Sequence, residues 1–308
     1  MLIRRGLIPG RHEDRGCVVA IGNFDGLHLG HQAILAALTV RGREQGLPAA
    51  VLTFEPHPRE YFAPAQAPAR LMRLRDKAEG LAATGIAELR VLRFGAALAA
   101  MEADAFIEQV LVQSLRAKHV VIGEGFRFGK GRGGDVALLR RAGASRGFAV
   151  DEILPRALAG RTVSSTRVRE ALAAGSLGEA NALLGRDYRI AGRVIAGQAL
   201  GRRLGMPTAN IRLHRRVPPV AGIFAVRVSG AGLERQPGVA SVGTRPTLGG
   251  SEWLLEAHVF DFAGELHRER LAVDFVERLR AEQKFETLDE LAAEMRRDAE
   301  RARAILDS

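Results

Sequence analysis

Two imidazoles three residues apart, His28 and His31, lie in the run Gly22-Asn23-Phe24-Asp25-Gly26-Leu27-His28-Leu29-Gly30-His31, where an apolar stretch passes through a glycine turn into a helical pattern. A helix start gathers free backbone N–H groups and the positive end of the helix dipole, so proton-bearing side chains there suit an anion, above all phosphate. Gly22, Phe24 and Asp25 in the turn join the two histidines as candidate contacts. On its own that spacing also fits a capped or merely exposed pair. A second segment, Val163-Ser164-Ser165-Thr166-Arg167-Val168-Arg169, sets three hydroxyls ahead of a helical pattern, as N-cap chemistry requires. Arg167 and Arg169 in its first turn oppose the dipole, and an anion held by Ser164, Thr166 and Arg169 would resolve the conflict. An exposed arginine pair on a solvated helix accounts for this segment equally well. The third segment runs from Gly197 to Asn210. Gly197, Gly201 and Gly205 allow the backbone to curl around a ligand. After Pro207 an extended stretch turns Thr208 and Asn210 to one face, and two neutral oxygen donors there suit Mg²⁺ and a triphosphate. Taken alone, an ordinary glycine-rich hairpin is the slightly better reading. Glu256, flanked on its strand face by Leu254 and His258, reads from the residues alone as a solvated strand carboxylate.

The elements that must position these groups follow from periodicity. Cys17–Ile21 is a continuous apolar run, as in the central strand of a parallel sheet. Further short apolar runs at Ala49–Phe54, Leu89–Phe94, His119–Gly123 and Phe148–Leu154 alternate with helical patterns such as Arg75–Thr84 and Asp104–Leu115. That alternation predicts a doubly wound α/β domain, in which ligands bind at the C-terminal ends of strands. After Leu184 the texture changes to strands punctuated by Gly and Pro: Tyr188–Ile195, Gly222–Val228, Val239–Val242, Leu254–Phe260 and Leu271–Phe275. A small antiparallel barrel is predicted there. Thr287 and Glu290 form a capping-box signature for a final helix, with Leu288, Leu291, Ala292, Met295, Ala299 and Ala302 as its apolar stripe. The expected division is residues 1–184 and 185–308, with a linker near Asn181–Asp187; Gly131–Gly134 reads as a flexible loop.

A chain of 308 residues, 47% hydrophobic and 26% charged, supports two domains with their own cores. It holds no apolar run of about 18 residues, and Met1–Gly10 has no apolar core after Arg4 and Arg5, so a cytoplasmic protein without a membrane segment is expected. Its one cysteine, Cys17, excludes an internal disulfide, argues against a zinc cluster and reads as a small core residue. The net charge of +10 would suit an anionic partner. Its arginines alternate with acids, however, as in Glu277–Arg280 and Glu294–Arg303, which is the pattern of solvated helix and strand faces. Gly129-Lys130-Gly131 lacks the hydroxyl and earlier glycine of a P-loop, and no GxGxxG follows the first apolar strand.

The His-x-Gly-His of His28 and His31, with Ser-Ser-Thr-x-x-Arg from Ser164 to Arg169, resembles the signatures of the nucleotidyltransferase superfamily. More narrowly, with Thr53-Phe54-Glu55-Pro56-His57-Pro58 and Phe126-Arg127-Phe128-Gly129, it resembles the adenylyltransferase half of the bacterial bifunctional riboflavin kinase/FAD synthetase family. That resemblance implies a Rossmann-like domain that transfers AMP from ATP to FMN and releases pyrophosphate. His28 and His31 would stabilise charge growing on the α-phosphate, and Ser164, Thr166 and Arg169 would hold the β and γ phosphates. The FMN phosphate is itself the nucleophile, so no covalent intermediate is implied. Gly197–Asn210 resembles the ATP-binding motif of riboflavin kinase, with Met206 at a usual Phe and Ala196 at a frequent His. Gly222–Val226, Ser241–Thr247 and Arg280–Phe285 extend that match over nearly the whole chain. The same resemblance implies that Glu256 is the general base for the riboflavin hydroxyl, that Mg²⁺ accompanies ATP with Thr208 and Asn210 as its ligands, and that Gly201 belongs to the ATP loop. Riboflavin, FMN and ATP are then the partners, with no nucleic acid, membrane or obligate protein partner. Gly125 stands where the family commonly has Asn or Asp, so a polar contact to substrate is missing from the first domain. Two other readings compete. An RNA-binding or tRNA-charging protein shares the histidine geometry, but no Lys-Met-Ser-Lys-Ser loop is present and aromatics make up only 5% of the chain. A flavin-binding regulator with a silent first domain is motivated by Gly125 alone.

Overall fold

Every residue of Cys17–Ile21 (β2) is buried in the computed structural model, which describes residues 1–7, 15–197, 200–247 and 250–307. Val19 and Ile21 enter one core with Leu52, Val110 and Ile122, while Val18 and Ala20 enter another with Leu35, Leu38 and Val51. The two-residue alternation of a strand thus feeds two helical layers, and both faces must be apolar. Around β2 lie Leu2–Arg5 (β1), Ala49–Glu55 (β3), Glu88–Arg93 (β4), Ala117–Gly123 (β5) and Ala149–Ile153 (β6), in the order β1-β4-β3-β2-β5-β6 with every pair parallel. From β2 the chain winds outward through β3 and β4, then returns to β5 on the other side. The strand order thus reverses between β2 and β5, the point at whose C-terminal end doubly wound sheets bind ligands, and Gly22–His31 begins at that end. The sequence reading missed β1: Leu2 and Ile3 are exposed on a four-residue edge strand. The helix expected over Asp104–Leu115 is an α-helical turn, Ala103–Phe106, continued in the wider i, i+5 winding of Ile107–Ser114. The Gly131–Gly134 stretch is closed by a bridge between Phe128 and Gly134, followed by a two-residue pair, Ala157–Leu158 (β7) and Arg161–Thr162 (β8).

One polar cluster ties the sheet to the helix Leu29–Gln45. The ring of His119, buried on β5, lies 2.8 Å from Gln45 Nε2 and 3.0 Å from Asp151 Oδ2, and Arg41 Nε donates to the same carboxylate oxygen at 2.7 Å. Burial pushes the Asp151 carboxyl up, but the Arg41 hydrogen bond and the neighbouring His119 outweigh it and hold the group below its ordinary value. A depressed carboxyl contributes stability above its unfolded pKa, about 3.9, and loses it as pH falls through the folded value. Asp151→Asn is therefore expected to cost about 1 kcal/mol at pH 7. Thermal melts should show a gap from wild type at neutral pH that closes in acid; a gap independent of pH would show that the charge is not its source.

The chain forms two compact units, residues 1–68 with 72–163 and residues 69–71 with 164–308. In the second, Tyr188–Ile195 (β9), Ala209–Arg212 (β10), Gly222–Gly230 (β11), Leu233–Thr247 (β12), Gly250–Val259 (β13) and Arg270–Arg280 (β14) close an antiparallel barrel in the order β10-β13-β12-β11-β14-β9. Phe224, Phe275 and Tyr188 are nearly inaccessible and meet ring to ring at 5.1 and 5.8 Å. The alternate positions Ala225, Val239 and Leu279 pack with Ala302 and Leu306 of the final helix, Leu288–Leu306. Thr287 caps that helix, accepting from Glu290 N at 3.2 Å, but the Glu290 carboxylate reaches one residue further back and accepts from Glu286 N at 3.1 Å, so half of the expected capping box is formed. Leu288, read as part of the apolar stripe, is exposed. The expected linker region is partly helical: Leu177–Leu184 is a helix, and Asn181 donates to Phe275 O at 3.1 Å and accepts from Tyr188 N at 2.8 Å.

Candidate active site

In the first unit His28 is the N-cap of Leu29–Gln45, and its Nδ1 accepts the His31 backbone N–H at 3.3 Å. An accepting Nδ1 carries no proton, so in the neutral ring the proton sits on Nε2, as a donor to an anion requires. The two rings stack with centroids 3.7 Å apart, and Phe24 closes on His31 at 5.1 Å. The first turn of the helix holds no acidic side chain, which leaves its dipole uncompensated from within. Phe24 and Leu27 hold left-handed conformations, φ 48° each, yet are buried; the strain is borne by packing at the turn. Asp25, read as a phosphate contact, is buried and accepts Met72 N–H at 2.9 Å, and Gly22 N–H donates to Leu52 O at 3.0 Å. Both anchor the turn that presents the histidines. A Cβ on Gly30 would come within 3.2 Å of the His28 ring and 3.4 Å of Val163 O. Gly125 has φ +71° and open space around its Cβ position, a left-handed site that Asn, Asp and Gly share for the same backbone reason.

Ser164, Thr166 and Arg169 belong by their contacts to the second unit. Ser164 caps Ser165–Ala173, its Oγ accepting Arg167 N–H at 3.2 Å. Thr166 is exposed on the first turn, and Arg169 Nε donates to Ala69 O at 2.6 Å. Arg167, whose position had suggested an anion, is buried and paired with Glu179 at 2.8 Å. The apparent electrostatic conflict of Arg167 is therefore answered within the fold.

In the barrel, register sets Asn210 on β10 directly opposite Glu256 on β13, which in turn faces Ser241 on β12. Thr208 Oγ1 donates to Glu256 Oε2 at 3.4 Å, and Asn210 Nδ2 donates to Thr208 O at 3.3 Å, which commits the amide nitrogen and leaves Oδ1 as the acceptor. Side chains are excluded at Gly197 by the Asn210 amide and at Gly201 by the Met206 carbonyl, where a Cβ would collide. Gln198 and Ala199 of the glycine-rich segment lie outside the described residues, as do the side chains of Arg245–Thr247. Two cavities meet here. One of about 400 Å³ is lined by Gly197, Thr208, Asn210 and Val259, and one of about 230 Å³ by Thr208, Met206, Glu256, Phe285 and Met295.

Residues 10–167 match the family model for FAD synthetase, and residues 184–306 match the one for riboflavin kinase. A protein of Escherichia coli K12 named bifunctional riboflavin kinase/FMN adenylyltransferase is 46% identical over 302 residues, 96% of each chain. The chain belongs to the bifunctional riboflavin kinase/FMN adenylyltransferase family. A Haemophilus influenzae protein of the same name is 46% identical over 308 residues, the full length of both. A solved structure described as a macrolide-efflux protein of Streptococcus pneumoniae superposes with TM-score 0.83 at 28% identity, covering 98% of this chain and 99% of that one. No helix among the described residues is long and apolar enough to cross a membrane. The doubly wound sheet thus carries the FAD synthetase match and the barrel the riboflavin kinase match.

The riboflavin kinase barrel also holds groups to which the sequence reading gave no role. His258 Nδ1 lies 2.8 Å from Pro207 O and so pins the entry to Thr208. Arg280 grips the buried Asp298 of the final helix, Nη2 to Oδ2 at 2.6 Å and Nε to Oδ1 at 3.0 Å. Glu282 lies beyond it at the smaller cavity; partial desolvation, then the charge of Glu256, push its carboxyl above the ordinary range, while Arg280 pulls it down. Arg280–Phe285 had stood out only as a matching stretch.

Proposed function

We propose that the barrel phosphorylates riboflavin with ATP bound in the larger cavity and the flavin in the smaller one, and that residues 1–184 then adenylylate the FMN. The observation that carries the kinase half is Thr208, which lines both cavities and hydrogen-bonds Glu256. A phosphoryl group passing between two ligands must cross at such a shared wall. Glu256 takes the proton of the ribityl hydroxyl as its oxygen attacks the γ-phosphorus, and the bond to the ADP oxygen breaks. Thr208 Oγ1 and Asn210 Oδ1 are hard oxygen donors, few in number, as suits Mg²⁺ that keeps waters and phosphate oxygens in its shell. Bound with ATP, Mg²⁺ would neutralise phosphate charge there. Gly201, expected in the ATP loop, lines the smaller cavity, which this reading gives to the flavin.

In the first unit an FMN phosphate oxygen attacks the α-phosphorus of ATP and pyrophosphate leaves. His28 and His31 donate to the α-phosphate oxygens as charge grows; the roles of Ser164, Thr166 and Arg169 toward the leaving phosphates are those the family resemblance implies. Gly22, Phe24 and Asp25 keep the turn in place against the nucleotide. Residues 185–308 are assigned to the kinase. The reading needs no nucleic acid, membrane or obligate protein partner, and it assigns the enzyme to the cytoplasm. Incubation with riboflavin, ATP and Mg²⁺, with flavins separated over time, is expected to give FMN that then converts to FAD. FMN alone would remove the adenylylation and point to Gly125; neither product would favour an RNA-binding protein.

A further inference from the structure

His258 takes over where the backbone ladder stops. The register pairs Ala257 of β13 with Ala209, the first residue of β10, so one step further along His258 comes opposite Thr208. There its Nδ1 lies 2.8 Å from Pro207 O. A carbonyl only accepts, so Nδ1 carries the proton and donates it. The Pro207–Thr208 peptide is trans, and in a planar trans peptide the C=O and N–H point opposite ways. Aiming Pro207 O at His258 therefore aims the Thr208 N–H away from it. His258 lines the smaller cavity and not the larger, whereas Pro207 lines the larger and not the smaller. The Thr208 N–H thus faces the larger cavity, and among the described residues nothing accepts from it. The imidazole is held from behind. Phe260, two residues along on the same face, meets it edge on at 5.7 Å; Phe260 is buried beneath the Arg303 guanidinium at 4.3 Å, and Arg303 forks onto both oxygens of Asp261 at 2.8 and 2.9 Å.

Resting on the placement of ATP in the larger cavity, we propose that His258 is a positioning residue for riboflavin phosphorylation: it holds the Pro207–Thr208 peptide turned so that the Thr208 N–H donates to a phosphate oxygen of ATP. The proline ring locks its own φ, so only ψ of Pro207 and φ of Thr208 can turn this peptide, and the His258 hydrogen bond stops both. An N–H set in place beforehand binds an oxyanion without a further ordering cost when the nucleotide arrives. The same grip fixes the start of the extended stretch from which Thr208 and Asn210 reach the nucleotide. His258 acts on ATP, although its ring stands on the flavin side of the shared wall.

The test is steady-state riboflavin phosphorylation by the full chain carrying His258→Phe or His258→Asn. The first keeps a ring against Phe260 and removes the donor; the second puts an amide nitrogen in the place of Nδ1. His258→Phe is expected to raise KM for ATP roughly three- to tenfold, the usual contribution of one hydrogen bond. In the same variant kcat at saturating ATP should stay within about twofold of wild type and KM for riboflavin should not move, which together report a folded barrel. His258→Asn should recover most of the loss. An unchanged KM for ATP in His258→Phe would overturn the proposal. A rise in KM for riboflavin alone would also overturn it, by making His258 a flavin contact, and an equal loss in both variants would trace the effect to packing instead of the hydrogen bond. If Thr208→Ala also left KM for ATP at its wild-type value, the placement of ATP itself would fail, so the two failures are distinguishable.

Discussion

His28→Ala is expected to lower FMN adenylylation by roughly 10²–10³-fold, the usual cost of removing a preorganised donor from developing charge, while riboflavin phosphorylation continues at the wild-type rate. The geometry explains both halves. His28 spends Nδ1 on capping the helix through His31 N–H, so its only other ring nitrogen is the proton-bearing one. Losing the cap costs about 1 kcal/mol, too little to unfold a unit whose central strand is buried throughout. The barrel has its own core and its own cavities. Separate assays with riboflavin and with FMN check the result; an equal fall in both activities would defeat the assignment of His28 to adenylylation.

Glu256→Gln should produce the mirror image. The amide keeps the shape of the side chain, and its oxygen can still accept the Thr208 hydroxyl that now bonds Glu256 at 3.4 Å. It cannot take a proton from the ribityl hydroxyl. Loss of a general base costs roughly 10²–10⁴-fold, so FMN formation should nearly cease while supplied FMN is still converted to FAD. Chromatography of the flavins from the two reactions measures this directly, and phosphorylation at the normal rate would show that Glu256 is not the base.

How much of this could be read from the residues depended on the range of the interactions. β2 was legible because both faces of a central parallel strand must be apolar, and the histidine turn because it immediately follows that strand. The barrel was legible from strands that alternate and end at glycine, although β12, β13 and β14 extend beyond the stretches expected. β1 was not, since an exposed edge strand has no buried face to leave a pattern. Arg167 misled because its partner, Glu179, is on the next helix. Asp25 reads as a ligand contact until Met72, 47 residues away, supplies its hydrogen bond. Glu282 escaped for the same reason, because its seat on Gly243 exists only once the barrel has closed.

The central claim is that one chain performs two successive reactions with two separate sets of residues. The most direct measurement supplies riboflavin, ATP and Mg²⁺ to His28→Ala, to Glu256→Gln, and to an equal mixture of the two, and follows the flavins. The account predicts FMN without FAD from the first, almost no product from the second, and FMN followed by FAD from the mixture. FAD from riboflavin at the wild-type rate in either single-variant reaction would contradict it.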